Sequence, residues 1–495
     1  MKFKVKNIKL SAGWAYIAIL EAKDADRLGL HPIDRIRLSN GRKSVIAILD
    51  VSSNKSLVKE GEIGIFSELS EVLGSQTKHL KISHVPKPAS LEYIKKKMEG
   101  FQLSKSELFE IVRDITLRRI TDVELTYFVS SCAINMLTDE EVVWLTDAMV
   151  KNGEQLDFGN GMIVDKHCIG GIPGNRTTML IVPIITANGL IMPKTSSRSV
   201  TSPAGTADTM EVLCNISIPT SKLKRIAKKV GGFIVWGGAV NLAPADDHII
   251  TIEHPLSIDS EGQMLASVIA KKASVGSKNL LIDIPYGPEA KCTTHNAAKK
   301  LGEKFLWLGE KFGMNTHVAI TDGSQPIGNG IGPALEAIDV MRVLENDPLA
   351  PLDLKAKVCY LAGLILEMVG KAQEGQGFEL ARDTIESGKA LEKMNQILDA
   401  QGRKVKHFSK IKLGKFHHTV RAKHKGELKQ VSVHAISEIA KAAGAPKNKG
   451  AGIYLYKHLK DEVKLGEKLF TIYAESRGKL GFALQEMKRH KVIEY

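Results

Sequence analysis

The sequence predicts an α/β protein. It should carry a helical domain and an α/β domain with a largely parallel or mixed central sheet, plus an extra N-terminal β-rich domain and a C-terminal α+β lobe. Three observations predict this. Short, partly alternating apolar runs fill the first 86 residues. Three helix-capping signatures then follow one another, and from there to about residue 405 strand-like runs alternate with helical ones. With 495 residues, 43% of them apolar, the chain is long enough for three or four domains with large cores.

Taken in order, Phe3–Leu10, Trp14–Leu20, Asp34–Gly41 and Lys43–Val51 are short runs separated by turn residues, as strands require. His84–Ser90 reads as a linker. Beyond it, Ser104 with Glu107, Thr121 with Glu124 and Thr138 with Glu141 are capping boxes. In each, the hydroxyl takes a free N–H at a helix start and the carboxylate reaches back. Apolar residues at helical spacing follow, which makes this segment a bundle. Strand candidates then appear at Gly161–His167, Gly232–Gly238, Leu280–Gly287 and Thr316–Gly323. Helix candidates lie between them at Arg176–Gly189, Pro219–Gly231, Gln263–Gly276 and Asn296–Gly313. Strand–helix alternation of this kind builds a largely parallel sheet, and ligands bind beyond the carboxyl ends of its strands. In the last unit a helix, His434–Pro446, is bracketed by strand-like runs. Gly426–Val431 and Val463–Ile472 read as hairpin strands of a small sandwich.

Composition narrows the function. Lys and Arg total 69 against 55 Asp and Glu, a net charge of +14 that attracts anions. The basic residues are scattered, without a long tract or aromatic interleaving, so small phosphorylated molecules are expected as partners, not nucleic acid. The five cysteines show no metal-ligand spacing and read as reduced thiols of a cytoplasmic protein. The start of the chain reads as a strand without a signal-peptide core. The longest apolar stretch, Met179–Met192, is shorter than the ~20 residues a spanning helix needs.

Four stretches can carry chemistry. Asp165–Thr178 runs from a strand through Gly170-Gly171 and Pro173-Gly174-Asn175 into a helix near Arg176. Backbone N–H groups and the helix N-terminus suit an oxyanion, Lys166 adds a full charge, and Thr177 and Thr178 add hydroxyls. The same residues also fit a plain strand-to-helix turn with a salt-bridged lysine. Lys194–Leu213 gathers Thr195, Ser196, Ser197, Ser199, Thr201, Ser202 and Thr206 around Arg198, whose fork can grip an anion bidentately. In Leu256–Lys272, Ser267 and Lys271 share a helix face and Asp259 precedes the helix. A capping role for Asp259 and a solvated Lys271 remain open. Thr321–Ala337 is a Gly/Pro-shaped loop after a strand.

In order, these stretches resemble the thymidine/pyrimidine-nucleoside phosphorylase family. The matching residues are Asp165–Gly171, Ser196-Ser197-Arg198 through Gly205-Thr206 to Asp208 and Glu211, Leu242–Asp246, Asp259–Lys272 and the Gln325-Pro326 loop. The resemblance runs from about residue 88 to the end. The N-terminal domain resembles the type 2 branch, with its archaeal AMP phosphorylases and bacterial proteins named as thymidine phosphorylases. It implies phosphorolysis: phosphate attacks C1′ of a nucleoside or nucleotide, and free base and a pentose 1-phosphate result. It also implies domains at 1–86, at 87–155 with about 244–274, at 156–243 with 275–405, and at 413–495.

By the same resemblance Lys166, Gly171, Thr178, Ser196 and Thr206 hold phosphate. Ser197, Arg198, Ser199, Val200, Thr201, Ser202, Ser267, Lys271 and Lys291 bind nucleotide or nucleoside. Asp259 and His167 are catalytic, Asp259 as proton donor. No metal and no cofactor are implied, with inorganic phosphate as co-substrate, and the expected assembly is a homodimer or larger homo-oligomer without nucleic acid or membrane. The sequence departs from the pattern in places. Cys168 stands where thymidine phosphorylases have Ser. Asp247–Asp259 lacks the Tyr and Arg with which pyrimidine enzymes read the base, whereas Lys166 is a lysine that the AMP enzymes lack. These departures place the sequence between the two substrate classes. The Ser/Thr/Arg cluster around Arg198 offers more donors than one phosphate needs, so the expectation is a 5′-nucleotide such as AMP, with thymidine as the alternative substrate. The alternative of another class is a non-enzymatic anion- or nucleic-acid-binding protein.

Overall fold

The computed structural model describes every residue except Asn160, Val200, Thr201, Ser257 and Asp259, and the side chain of His254. Six strands, β1 (Lys2–Asn7), β2 (Ile17–Glu21), β3 (Arg35–Ser39), β4 (Ser44–Ser52), β5 (Glu62–Ile65) and β6 (His79–Val85), close into a barrel in the order β1-β5-β2-β4-β3-β6. Ala18, Leu20, Ile36, Leu38, Leu49, Ile63 and Leu80 fill its interior. The barrel also contains two short helices that the strand-like reading did not separate, α1 (Ala22–Leu28) and α2 (Ser67–Leu73). Local chemistry accounts for α1: the Glu21 carboxylate accepts the Lys23 N–H at its start, and Gly29 closes it in the left-handed conformation.

The helices α3 (Ser90–Met98), α4 (Lys105–Thr116), α5 (Asp122–Ile134) and α6 (Asp139–Lys151) form the bundle. All three capping boxes are made. Glu107, Glu124 and Glu141 accept the N–H groups of Ser104, Thr121 and Thr138 at 2.7, 2.9 and 2.8 Å. Glu141 does more than cap: it is fully buried and also binds the Lys97 ammonium through both oxygens, at 2.9 and 2.8 Å. The helix Pro244–Leu256 joins this group, packing on α4, α5 and α6. Barrel and bundle make one compact unit, residues 1–153 with 243–267. Residues 154–242 and 268–495 make the other.

The second unit is built on parallel strands β7 (Val164–Cys168), β8 (Met192–Ser196), β9 (Gly232–Trp236), β10 (Asn279–Tyr286) and β11 (Asn315–Asp322). β10 lies between β11 and β7, β8 pairs with β9, and the Ile163–Ile191 bridge ties β7 to β8. The helices, in chain order, are α7 (Thr177–Ala187), α8 (Thr206–Leu213), α9 (Thr220–Val230), α10 (the Pro244–Leu256 helix of the first unit), α11 (Glu261–Ser274), α12 (His295–Lys311), α13 (Pro333–Leu344), α14 (Leu352–Met368), α15 (Gly377–Glu386) and α16 (Lys389–Gln401). The core that positions the site runs through α7, buried from Thr177 to Thr186, and the apolar faces of β9, α13 and α14.

The C-terminal lobe is an antiparallel sheet with helices Val433–Ala442 and Arg477–Arg489. Its edge strand, Gly330–Ile331, comes from the Thr321–Ala337 loop and pairs with Tyr454 and Ile453. That stretch is thus shaped by a cross-lobe strand. The expected single strand over Gly426–Val431 is instead two short ones with different partners. Gly426–Glu427 pairs with Glu462–Val463, and Gln430–Val431 pairs with Ile493–Glu494. Between them Leu428 is fully buried in the lobe's core, and its N–H goes to the Asp461 carbonyl.

Candidate active site

The carboxyl ends of β7 and β8 carry the predicted anion-binding stretches, where a parallel sheet presents its ligand face. After β7 the chain turns through Gly170 and Gly171, both in the left-handed region at φ 88° and 95°, and then through Gly174 at 75°. A Cβ on Gly171 would lie 3.4 Å from the Lys291 backbone nitrogen, so two of the predicted binding residues meet here. On Gly174 a Cβ would sit 2.0 Å from the Ile327 carbonyl oxygen. Only glycine allows that close approach.

Beneath this loop is a buried ionic network. The Lys166 ammonium is fully buried, 2.9 Å from both Thr177 Oγ1 and Asp283 Oδ2. Asp283 faces Cys168 across the β7–β10 register and accepts Thr321 Oγ1 at 2.7 Å. Asp165, also fully buried, holds Lys272 at 2.8 Å and Lys194 at 3.2 Å, and Lys194 donates to the Lys166 carbonyl at 2.7 Å. Burial alone would raise both carboxyls. The lysine charges overcome it, holding Asp165 below its usual range and Asp283 at about 2. Burial together with the Lys272 charge pushes the Lys194 ammonium well down, against the pull of Asp165. His167 is partly buried, and its pKa falls well below 6.5 through burial and the charges of Lys272, Lys194, Lys166 and Lys271. These surroundings favour the uncharged imidazole at neutral pH, a donor and an acceptor.

Around this network the predicted hydroxyls fall into two groups. Ser196 ends β8 with a buried Oγ that has no hydrogen-bond partner among the described residues, and Thr178 is buried at the start of α7. Thr206 opens α8, where its Oγ1 accepts from Arg176 at 2.9 Å. Ser199 and Ser202, in contrast, donate to the carbonyls of Ser202 and Ala204 in their own loop. The Ser197 carbonyl accepts the Ala207 N–H.

The expectation that Arg198 grips an anion bidentately is corrected. Its fork is taken by Glu211 at 2.9 Å on both nitrogens and by Asp208 at 3.0 Å, and its guanidinium lies over Trp236. Lys449 joins the same carboxylates at 2.9 and 3.3 Å. Hydrogen bonding from Arg198 and Lys449 holds the Glu211 carboxyl down at about 2, so this cluster is an internal clamp on the loop. In the first unit, Ser267 donates to Asp246 Oδ2 at 2.8 Å. Lys271 lies on α11, close enough for its charge to act on His167. Asp259, Val200 and Thr201 lie outside the described residues.

Several residues of the site escaped the sequence reading. Arg176 is buried and joins three segments, donating to Thr206 and to the Ala204 carbonyl and pairing with Glu336 at 2.5 Å. Lone charges in apolar strands were the available signal for Asp165 and Asp283, since an aspartate inside a buried parallel strand demands partners. Lys194 and Lys272 stood inside quoted motifs. Lys357, on α14, gave no signal at all. Among the described residues, no group of three or more His, Cys, Asp or Glu is placed to hold a metal ion, and no helix is long and apolar enough to cross a membrane.

Comparison with known proteins extends this picture. Residues 91–153 match the helical bundle domain and residues 160–391 the a/b domain of a glycosyl transferase family. Residues 428–494 match the pyrimidine nucleoside phosphorylase C-terminal domain. Two solved anthranilate phosphoribosyltransferases share the fold. The one from Thermus thermophilus has a TM-score of 0.52 at 17% identity, over 62% of this chain and 98% of that one. The one from Saccharomyces cerevisiae, solved with PRPP and Mg, has 0.51 at 15%, over 63% and 97%. Fold and site together define a pentosyltransferase of the nucleoside phosphorylase type. AMP phosphorylase 1 of Archaeoglobus fulgidus is 43% identical over 100% of this chain and 97% of its own length. "Putative thymidine phosphorylase" of Legionella pneumophila is 42% identical over 91% of this chain and 86% of its own. The chain belongs to the thymidine/pyrimidine-nucleoside phosphorylase family, in the type 2 branch that holds these relatives.

Proposed function

We propose that the protein cleaves the N-glycosidic bond of a 5′-nucleotide such as AMP by phosphorolysis, giving free base and ribose 1,5-bisphosphate. The observation that carries the reading is the lysine-rich cradle at the ends of β7 and β8. Its glycine turns, buried Ser196 hydroxyl and excess of ammonium groups suit a phosphate dianion. A phosphate oxygen attacks C1′ while the C1′–N bond breaks, and the electron pair leaves with the base, whose nitrogen takes a proton. The transition state resembles an oxocarbenium ion, so a dianion fixed beside C1′ stabilises it. By family resemblance Asp259 supplies the proton. His167, uncharged, is suited to hydrogen-bond the sugar or base.

The nucleotide is favoured because Asp247–Asp259 contains neither Tyr nor Arg for reading a pyrimidine, and because full-length relatives at 43% identity are AMP phosphorylases. Lys166 favours the second reading, thymidine phosphorylase proper, with 2-deoxyribose 1-phosphate as product. The test is base release by chromatography from AMP, CMP, UMP, adenosine, uridine and thymidine with phosphate, with and without magnesium. Release from AMP but not from nucleosides is expected. Release from thymidine with none from AMP would overturn the nucleotide reading. The assembly that accompanies this reading is a homodimer or larger homo-oligomer, which sedimentation measures.

A further inference from the structure

Lys357 is the one member of the ionic network that its surroundings do not explain. It lies on α14, and its side chain is only 10% exposed. Its Nζ is shielded from solvent and has no hydrogen-bond partner among the described residues. The nearest carboxylate oxygen, Asp283 Oδ1, is 3.8 Å away, an ion-pair distance too long for an N–H···O bond. That oxygen already accepts Thr321, and Oδ2 is taken by Lys166. Three N–H donors are therefore unused on a buried cation, a costly arrangement unless something else satisfies them.

The charge count points the same way. Among the described side chains of this network, the ammonium groups of Lys166, Lys194, Lys272 and Lys357 face only two carboxylates, Asp165 and Asp283. Even with Lys194 pushed down to about 7, more than one positive charge is left over in a buried place, and a bound phosphate anion balances it. Asp283, the carboxylate 3.8 Å from Lys357, stands opposite Cys168 at the end of β7. The charge of Lys357, with that of Lys166, acts on Cys168, the last residue of β7 before the glycine turn, against the burial that pushes that thiol up.

We propose that Lys357 is a ligand of the inorganic phosphate co-substrate, donating to its oxygens from α14. The inference rests on the phosphorolysis reading for its co-substrate, but the melting arm of its test does not require turnover. The competing roles are a counter-ion for Asp283 alone and a ligand of the nucleotide's own 5′-phosphate.

The experiment uses full-length wild type, Lys357→Met, Lys357→Gln and Lys357→Arg. Melting temperature is followed against added sodium phosphate, at ionic strength held constant with chloride. KM is measured separately for phosphate and for nucleotide. In Met and Gln the phosphate-dependent rise in melting temperature should fall to less than half. Phosphate KM should rise at least tenfold while nucleotide KM changes less than twofold, and Arg should recover part of the phosphate response. The phosphate-free melting temperature should change little, because the lost ammonium has no hydrogen bonds to lose and only a long ion pair, while Asp283 keeps Lys166 and Thr321. An unchanged phosphate response with a lower phosphate-free melting temperature would make Lys357 a counter-ion and overturn the proposal. A rise in nucleotide KM alone would assign it to the 5′-phosphate and overturn it too, as would a wild type that does not respond to phosphate. If the wild type responds to phosphate, the variants do not, and no substrate is turned over, the Lys357 assignment stands and the phosphorolysis reading falls.

Discussion

His167 ends up with a charge state that its sequence neighbours do not announce. Lysines crowd it and burial strips its water, so the imidazole stays neutral well below pH 6.5. The consequence for stability has a definite sign. Below pH 6.5 the unfolded chain binds a proton at this position that the native one refuses, so native stability is lost as pH falls. Against a His167→Gln variant, the wild type should lose stability between pH 6.5 and 5.5 by an extra amount of up to about 1.4 kcal/mol per pH unit. Urea unfolding of both proteins at pH 7.5 and 5.5 measures this. A gap that does not change with pH would mean that the native imidazole takes up its proton over the same pH range as in the unfolded chain. Lys166, Thr178, Ser196 and Thr206 could be proposed from the sequence because charge and hydroxyl chemistry sit next to glycine turns. Arg198 was misread because the partners that saturate it, Glu211 and Lys449, are 13 and more than 200 residues away along the chain.

At the scale of elements, the bundle was the most legible part, because a capping box is complete within four residues and needs no tertiary help. The turn between β7 and α7 combines a local and a distant constraint. Its left-handed glycines can be anticipated from sequence, but the contact of Gly174 with the Ile327 carbonyl depends on a loop 150 residues away. Gly174→Ala should therefore cost more than the about 1–3 kcal/mol of a strained backbone alone, and should weaken the response to phosphate. Gly29→Ala is the control. It has φ 63° but open space around its Cβ, so it should cost only about 1 kcal/mol and leave phosphate binding intact. Denaturant midpoints and phosphate thermal shifts check both. Equal costs at the two positions would show that the Ile327 contact contributes nothing. The short strands of the C-terminal lobe were less legible, since two-residue strands carry no periodicity to read.

On the scale of the whole molecule, most of the charge of +14 lies outside the buried network, whose lysines outnumber its carboxylates by only a little. The surface part should steer anionic substrates and be screened by salt, with a Debye length of roughly 10 Å at 0.1 M. We expect kcat/KM for a nucleotide to fall several-fold between ~20 and ~200 mM sodium chloride, with kcat nearly constant. A flat kcat/KM would show that net charge does not steer. The buried part should be much less sensitive to salt, so the phosphate-free melting temperature should move little over the same range.

The sequence by itself determined the fold class, the capped bundle, the glycine turns and the family, because these depend on periodicity, on caps and on motifs carried within a few residues of one another. Only the tertiary structure decided which charges are spent and which are available. Asp165, Asp283, Lys194, Lys272 and Lys357 come from strands and helices more than 190 residues apart, and their roles follow from burial and from partners within about 4 Å. Arg198 became a clamp and Lys357 a buried cation for the same physical reason: a side chain's function is set by what solvates it, and the linear order of residues does not specify its neighbours.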